Sequence, residues 1–295
     1  MKVFITGSNG LLGQKLVKYC LQNNVSFTAT SKGENRNEDC PEKNYAELDI
    51  TNKLDVQKLV LSKHPTHIIH TAAITNVDFC ELNPEECFNV NVKATKYLVD
   101  AANQAQAHFQ FISTDFVFDG EKGNYSEDDE INPLSVYAKS KAEGEKLVQH
   151  KSNFGWSIVR TIIVYGTANN LSRSNIIVWA KGALERQERI NIIDDQFRAP
   201  TFAEDLADGC MAIIEKKKEG IFHISGPETM SIYQIVLRIA NHYGYSTEFV
   251  NKISSKILDQ PAKRPPKTGF DLSKAYAQIN YKPRTLEQSL DLIFE

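Results

Sequence analysis

Met1-Lys2-Val3-Phe4-Ile5-Thr6-Gly7-Ser8-Asn9-Gly10-Leu11-Leu12-Gly13 is the stretch that decides the fold. Val3-Phe4-Ile5 is a short apolar run of the buried-strand kind, and it leads directly into glycines spaced G-x-x-G-x-x-G. Beyond them Leu11, Leu12, Leu16, Val17, Cys20 and Leu21 fall on one helical face. Strand, glycine turn and amphipathic helix in that order predict a βαβ unit. Its turn lets backbone N–H groups approach a pyrophosphate at the positive end of the helix. The first gap is one residue longer than in the common dinucleotide fingerprint. Gly7, Asn9, Gly10, Leu11, Leu12 and Gly13 are the residues expected to bind the cofactor there.

The alternation continues outward. Val25 to Thr30 reads as a second strand, Tyr45 to Asp49 as a short third, His67 to Ala72 as a fourth, Phe109 to Ser113 as a fifth and Ile158 to Tyr165 as a sixth. Helical spacing occupies residues 51–63 and a longer stretch from about Pro84 to Gln104. Strands separated by helices of this length require right-handed parallel crossovers with helices on both faces. The expected class is α/β, a doubly wound parallel (Rossmann) sheet with a smaller C-terminal substrate subdomain.

After residue 166 the alternation weakens. Residues 174–187 and 203–215 read as helices and Ile221-Phe222-His223-Ile224 as another strand, while Lys263-Arg264-Pro265-Pro266 cannot be helix interior. Residues 1–166 are expected to form the dinucleotide-binding domain, with about 200–226 returning to it. Residues 167–199 and 227–295 are expected to form the substrate subdomain, with the site in the cleft between them.

The bulk numbers exclude several classes of function. With 295 residues, 41% of them hydrophobic and 24% charged, the chain has the makings of an ordinary globular core. A net charge of −3 offers no general attraction to nucleic acid or to an anionic membrane, so neither is an expected partner. No apolar run approaches the ~18 residues of a membrane span, and a chain opening on a strand leaves no room for a signal peptide. Cys20, Cys40, Cys80, Cys87 and Cys210 lack C-x-x-C spacing, so reduced thiols, a cytoplasmic location and no metal site are expected.

The end of the second strand chooses between cofactors. An acid there would hold the adenosine ribose hydroxyl of NAD, whereas a base accommodates the 2′-phosphate of NADP. Thr30-Ser31-Lys32-Gly33 carries no acid before Glu34, and Arg36 is close by. Ser31 and Lys32 therefore favour NADPH, with NADH as the alternative. Asp49 and Ile50 are placed to flank the adenine, although an aspartate there could equally cap the following helix.

The chemistry is concentrated further along. Phe111-Ile112-Ser113-Thr114 puts hydroxyls at the carboxyl end of the fifth strand, where ligands of parallel sheets bind. In Tyr137-Ala138-Lys139-Ser140-Lys141 a tyrosine and a lysine lie four residues apart, on one face of a helix. A phenol is a poor acid–base group at neutral pH unless a neighbouring cation favours its anion, and Lys141 could supply that charge.

Glycine turn, strand-end threonine, tyrosine and lysine together resemble the extended short-chain dehydrogenase/reductases over essentially the whole chain. Ser113-Thr114-Asp115-Phe116-Val117-Phe118-Asp119-Gly120, Ala72-Ala73-Ile74-Thr75-Asn76-Val77-Asp78, Val159-Arg160-Thr161 with Val164-Tyr165-Gly166, and Asp195-Gln196-Phe197-Arg198-Ala199-Pro200-Thr201 are similar to segments of dTDP-4-dehydrorhamnose reductases. The resemblance implies reduction of a sugar C4 ketone, with dTDP-4-dehydrorhamnose as the substrate. Tyr137 would deliver the proton, Lys141 would lower the Tyr137 pKa and hold the nicotinamide ribose, and Thr114 would hydrogen-bond the carbonyl oxygen. It also implies cofactor contacts from Ala72, Ala73, Thr75 and Asn91, the last of which could instead hydrogen-bond within a helix.

On the nucleotide-sugar side the implied residues are Val77, Asp78, Ser113, Phe116, Arg198 and Arg264. Arg198, where the family has a small residue, could meet a substrate phosphate or carboxylate or a neighbouring acid. Arg264 could meet a diphosphate or stay solvated. A second copy of the chain is a further partner left open. Sugar-nucleotide dehydratases place Asp-Glu after the threonine, and Asp115-Phe116 lacks the second carboxylate, so dehydration is not expected. Two alternatives stay open: a 4-epimerase, which Ser31-Lys32 disfavours, and a non-catalytic NADP-binding regulatory subunit like the methionine adenosyltransferase β-subunit. Ile163 stands where the reductases carry a tryptophan that packs on the sugar.

Overall fold

The computed structural model describes residues 1–294. Its first six strands are β1 (Lys2–Thr6), β2 (Ser26–Ser31), β3 (Tyr45–Glu47), β4 (His67–His70), β5 (His108–Thr114) and β6 (Trp156–Thr161). Between them run α1 (Leu11–Gln22), α2 (Lys53–Lys63), α3 (Val77–Leu82), α4 (Pro84–Phe88), α5 (Ala94–Gln104) and α6 (Val136–Lys151). The second half adds β7 (Val164–Tyr165), α7 (Ile176–Glu185), β8 (Ile190–Ile193), β9 (Phe197–Arg198), β10 (Thr201–Phe202) and α8 (Ala203–Glu215). It continues with β11 (Gly220–His223), β12 (Met230–Ser231), α9 (Ile232–Tyr243), β13 (Val250–Ile253), β14 (Lys267–Thr268), α10 (Ser273–Ile279) and α11 (Leu286–Ile293).

The main sheet has seven strands in the order β3-β2-β1-β4-β5-β6-β11, all parallel. That is the doubly wound order with one strand added, and its direction reverses between β1 and β4, which opens a crevice at their carboxyl ends. Each face of the sheet is sealed by its own apolar cluster. Leu16, Val17 and Cys20 of α1 join Leu206, Met211 and Ile214 of α8 on one face. Val56 and Val60 of α2 join Leu98 and Val99 of α5 on the other. β11 pairs with β6, which places residues 220–223 at the edge of this sheet. A third cluster, with Ile177, Ala180, Ile235, Ile239 and Leu290, serves the later elements.

Two expectations about elements change. The stretch from Pro84 to Gln104 is helical throughout, but Asn89–Lys93 forms a π-helical turn between α4 and α5. Such turns recur at functional sites because they re-aim the side chains they carry. The strand expected from Ile158 to Tyr165 is broken in two: Ile163 adopts φ +30°, and its carbonyl and that of Ile162 both turn to the Thr201 N–H at 3.1 Å.

Candidate active site

The glycines of the first turn have separate tasks. Gly7 lies at φ +72°, where a Cβ would come 2.7 Å from Thr71 Oγ1 and 2.8 Å from Ala72 N; at Gly13 it would meet the Gly7 carbonyl at 2.3 Å. These two let α1 pack on the β1 and β4 ends. Gly10 is exposed and begins α1 with no side-chain cap. Asn52, Ser135, Asn175, Ser231 and Thr285 all cap the starts of other helices. The α1 terminus therefore keeps its first-turn N–H groups and its positive end for an anion, which fits a dinucleotide pyrophosphate. The Leu11 side chain is half-buried and that of Leu12 buried.

The Asn9 side chain turns away from the crevice and is 2% exposed. Ser31 and Lys32 lie beside it at the end of β2, and the exposed Lys32 ammonium pairs with Asp49 at 2.9 Å. The Thr51 hydroxyl, then the Lys32 ammonium, hold the Asp49 carboxyl down to about 2. Asn52, not Asp49, caps α2. Ile50 is buried next to it, while Ala72 and Ala73 are half-buried and Thr75 exposed in the loop after β4.

At the catalytic end, Thr114 closes β5 and Tyr137 and Lys141 rise from α6. The Thr114 hydroxyl donates to Asp115 Oδ1 at 3.0 Å and accepts the Phe116 N–H at 3.2 Å. Tyr137 is buried among Cys80, Cys87 and Phe116, with the Phe116 ring edge-on at 6.2 Å. Lys141 is 3% exposed, and its ammonium sits 3.9 Å from the centre of the Phe111 ring. Burial lowers the Lys141 pKa to about 7, against the opposing pull of Glu145.

The expectation that Lys141 holds the Tyr137 phenol below its ordinary value is corrected. Burial pushes the phenol up, and Thr114 is the neighbour that favours its anion. Desolvation dominates the Tyr137 environment, and Asp115 adds to it in the same direction.

Three further expectations change because the side chains are already engaged. Asn91, in the π-helical turn, accepts the Ile74 N–H at 2.8 Å and donates to the Ile74 carbonyl and to Ser140 Oγ, each at 3.0 Å. It ties the β4–α3 loop to α6. Ser113 is buried and donates to Glu145 Oε1 at 2.5 Å, across the sheet–helix interface. Arg198, 2% exposed, donates to the carbonyls of Phe197 and Pro265, both at 2.7 Å, and lies 3.8 Å from Asp115. Of the two readings open for it, the neighbouring acid is the one the structure shows. It bolts β9 and the 265–266 segment to the back of Thr114.

Asp78 and Arg264, 186 residues apart, form an ion pair at 2.7 Å, so the two sequence-nominated substrate residues do meet. Val77 follows the Asn76 cap at the start of α3 beside them.

Sequence reasoning missed Glu145. It lies one turn beyond Lys141, on the face Tyr137 and Lys141 share, and takes Arg160 of β6 in a fork of 2.7 and 3.0 Å. The same four-residue spacing that picked out the pair would have found it. Asp115, read from sequence only as a carboxylate without its dehydratase partner, is buried, accepts a hydrogen bond from Thr268 of β14, and is pushed up by desolvation against Arg198.

A family model described as RmlD substrate binding domain matches residues 1–295. The chain belongs to the RmlD family. Among relatives of this RmlD-family chain is a dTDP-4-dehydrorhamnose reductase from Aggregatibacter actinomycetemcomitans, 33% identical over 98% of the chain and 97% of that protein. Methionine adenosyltransferase 2 subunit beta from Bos taurus is 31% identical over 92% of the chain and 81% of that protein. A solved dTDP-4-dehydrorhamnose reductase from Bacillus anthracis, in complex with NADP, superposes with a TM-score of 0.85 at 26% identity, covering 99% of this chain and 98% of that one.

Proposed function

We propose that this RmlD-family chain is an NADPH-dependent oxidoreductase that reduces the C4 ketone of a dTDP-linked deoxysugar, dTDP-4-dehydrorhamnose being the substrate that the family membership favours. The carrying observation is the buried phenol of Tyr137 close to the strand-end hydroxyl of Thr114, in a chain whose α1 begins without a side-chain cap. A phenol raised above its ordinary value keeps its proton at neutral pH, which suits a donor in the reductive direction. Bound NADPH supplies the hydride. Tyr137 delivers the proton to the carbonyl oxygen, and Thr114 donates a hydrogen bond to that oxygen as charge develops on it. Lys141, buried over the Phe111 ring and held toward its charged form by Glu145, is the ammonium assigned in this reading to the nicotinamide ribose.

Gly10 and the first turn of α1 receive the pyrophosphate, Ser31 and Lys32 the adenosine end, and Ala72, Ala73 and Thr75 the middle of the dinucleotide. Asp78, Arg264, Val77 and Phe116 face the nucleotide sugar. Residues 1–166, with about 200–226, make up the dinucleotide domain in this reading, and 167–199 with 227–295 the substrate subdomain. No described helix is long and apolar enough to cross a membrane. All five cysteines are buried free thiols, which suits the reducing cytoplasm.

A second reading, a regulatory subunit that binds NADP without turnover, is favoured by the likeness to the methionine adenosyltransferase subunit. Loss of NADPH absorbance on adding a dTDP-4-keto-6-deoxysugar separates the two. Turnover supports the reductase; a folded protein that binds NADPH and leaves the sugar unchanged supports the subunit.

A further inference from the structure

We infer that Asn9 is a specificity-determining residue for the cofactor, shaping the 31–36 loop into the seat of the adenosine 2′-phosphate without touching it. This rests on the NADPH reading above. Asn9 lies in the glycine turn, yet its side chain points into the protein. Its Nδ2 donates to the Glu34 carbonyl at 2.8 Å, its Oδ1 accepts the Arg36 N–H at 2.9 Å, and its own N–H donates to Ser31 Oγ at 3.2 Å. One residue thus grips the loop at its beginning, middle and end.

The loop needs gripping. Beyond Ser31 it has no helix or strand until Glu42, and Gly33 turns it at φ +77° with open space where a Cβ would stand. Besides Asn9, Tyr45 braces it, its hydroxyl donating to the Gly33 carbonyl, and Glu47 accepts the Gly33 N–H at 3.1 Å. The loop carries Ser31, Lys32 and Arg36, the groups of the right kind to meet a phosphate. Its acids, Glu34 on the loop and Glu47 and Asp49 from β3 and beyond, would repel one. Which side chains face the crevice therefore depends on the path of the backbone, and Asn9 fixes that path at residues 34 and 36.

The pyrophosphate seat is set independently. Gly7 and Gly13 lock the turn through their own close packing, and Gly10 leaves the α1 terminus open whatever stands at position 9. NADPH and NADH present the same pyrophosphate and differ at the 2′ position. Loosening the 31–36 loop should accordingly cost NADPH its advantage and leave NADH nearly unaffected.

The test is equilibrium titration of the full chain with NADPH and with NADH, without sugar, for the native protein and Asn9→Ala. The expected result is an NADPH Kd weakened about tenfold and an NADH Kd within about twofold of native. Equal weakening of both, or an unchanged ratio, overturns the inference. Should Asn9→Ala fail to fold, Asn9→Ser, which the turn tolerates but which is too short to reach both backbones, is judged by the same ratio. A native protein with no preference for NADPH would instead refute the cofactor reading, and preference without turnover would refute only the reductase.

Discussion

Replacing Lys141 with methionine should make the unliganded protein more stable while destroying its activity, and the gain should depend on pH in a defined way. The ammonium is buried over the Phe111 ring, and its pKa falls from 10.5 to about 7 because burial disfavours the charged form. The sign follows from linkage. Below pH 7 the folded and unfolded chains both carry the proton, and the full penalty of burying the charge is present. Between about pH 7 and 10.5 the unfolded chain binds more protons than the folded one, so native stability rises with pH and the penalty fades. The gap between the two pKa values corresponds to about 5 kcal/mol at about 1.4 kcal/mol per pH unit. Relaxation of the site makes that an upper bound, and about 3 kcal/mol is the expected advantage of Lys141→Met at about pH 6. Urea unfolding of both proteins from about pH 6 to about pH 9 should show the advantage shrinking by about 2–3 kcal/mol. Any difference in packing between the two side chains is independent of pH and cancels in that slope. A constant advantage across the range, or one that grows with pH, would refute the assignment of a strained buried cation.

Tyr137→Phe should lower turnover at least about 100-fold, the contribution usual for a positioned proton donor, with the NADPH Kd from fluorescence titration unchanged. Glu145→Gln leaves the Arg160 guanidinium buried without its carboxylate, and urea unfolding should register a loss of about 3–5 kcal/mol. The glycine turn separates fold from binding. Gly13→Ala forces a Cβ to within 2.3 Å of a carbonyl oxygen and should lower stability by about 2 kcal/mol or more, read as a fall in Tm. Gly10→Ala meets that oxygen at 3.2 Å, a milder clash, so it should lower Tm less than Gly13→Ala does and weaken NADPH binding by obstructing the pyrophosphate.

What could be read from the sequence was what local physics determines. The periodicity of Val3-Phe4-Ile5 and of the α1 apolar face belongs to one strand and one helix, and the structure buries Leu12, Leu16, Val17 and Cys20 as expected while Leu11 is half-buried and Leu21 exposed. Thr114, Tyr137 and Lys141 also stand on the elements expected, because a strand end and a helix face are local geometries. The failures involve partners far along the chain. Ile163 breaks its strand because Thr201, across the sheet, takes its carbonyl, and nothing in Thr161-Ile162-Ile163-Val164 announces a β-branched residue at positive φ. Arg198 could be assigned to a ligand or to a neighbouring acid, and only the closure that brings Pro265 and Asp115 around it decides between them. Asp78 and Arg264 could be nominated separately, but their pairing depends on the closure of the whole chain. Glu145 is the exception: its spacing from Lys141 was local and legible.

These long-range contacts also explain how charge is distributed around the crevice. Burial pushes Tyr137 and Asp115 up and Lys141 down, so that each is driven toward its neutral form. The two arginines behind them do not share that freedom. Arg160 is fixed in the Glu145 fork, and Arg198 is tied to backbone carbonyls beside Asp115, so neither can swing toward a ligand. Lys141 is left as the cation with a charge state near balance, and an anionic or hydroxyl-rich ligand in the crevice would tip it toward the ammonium. The stability lost by burying that amine is then free energy that ligand binding can recover, which is why the residue predicted to be worst for the unliganded fold is also the one proposed to hold the nicotinamide ribose.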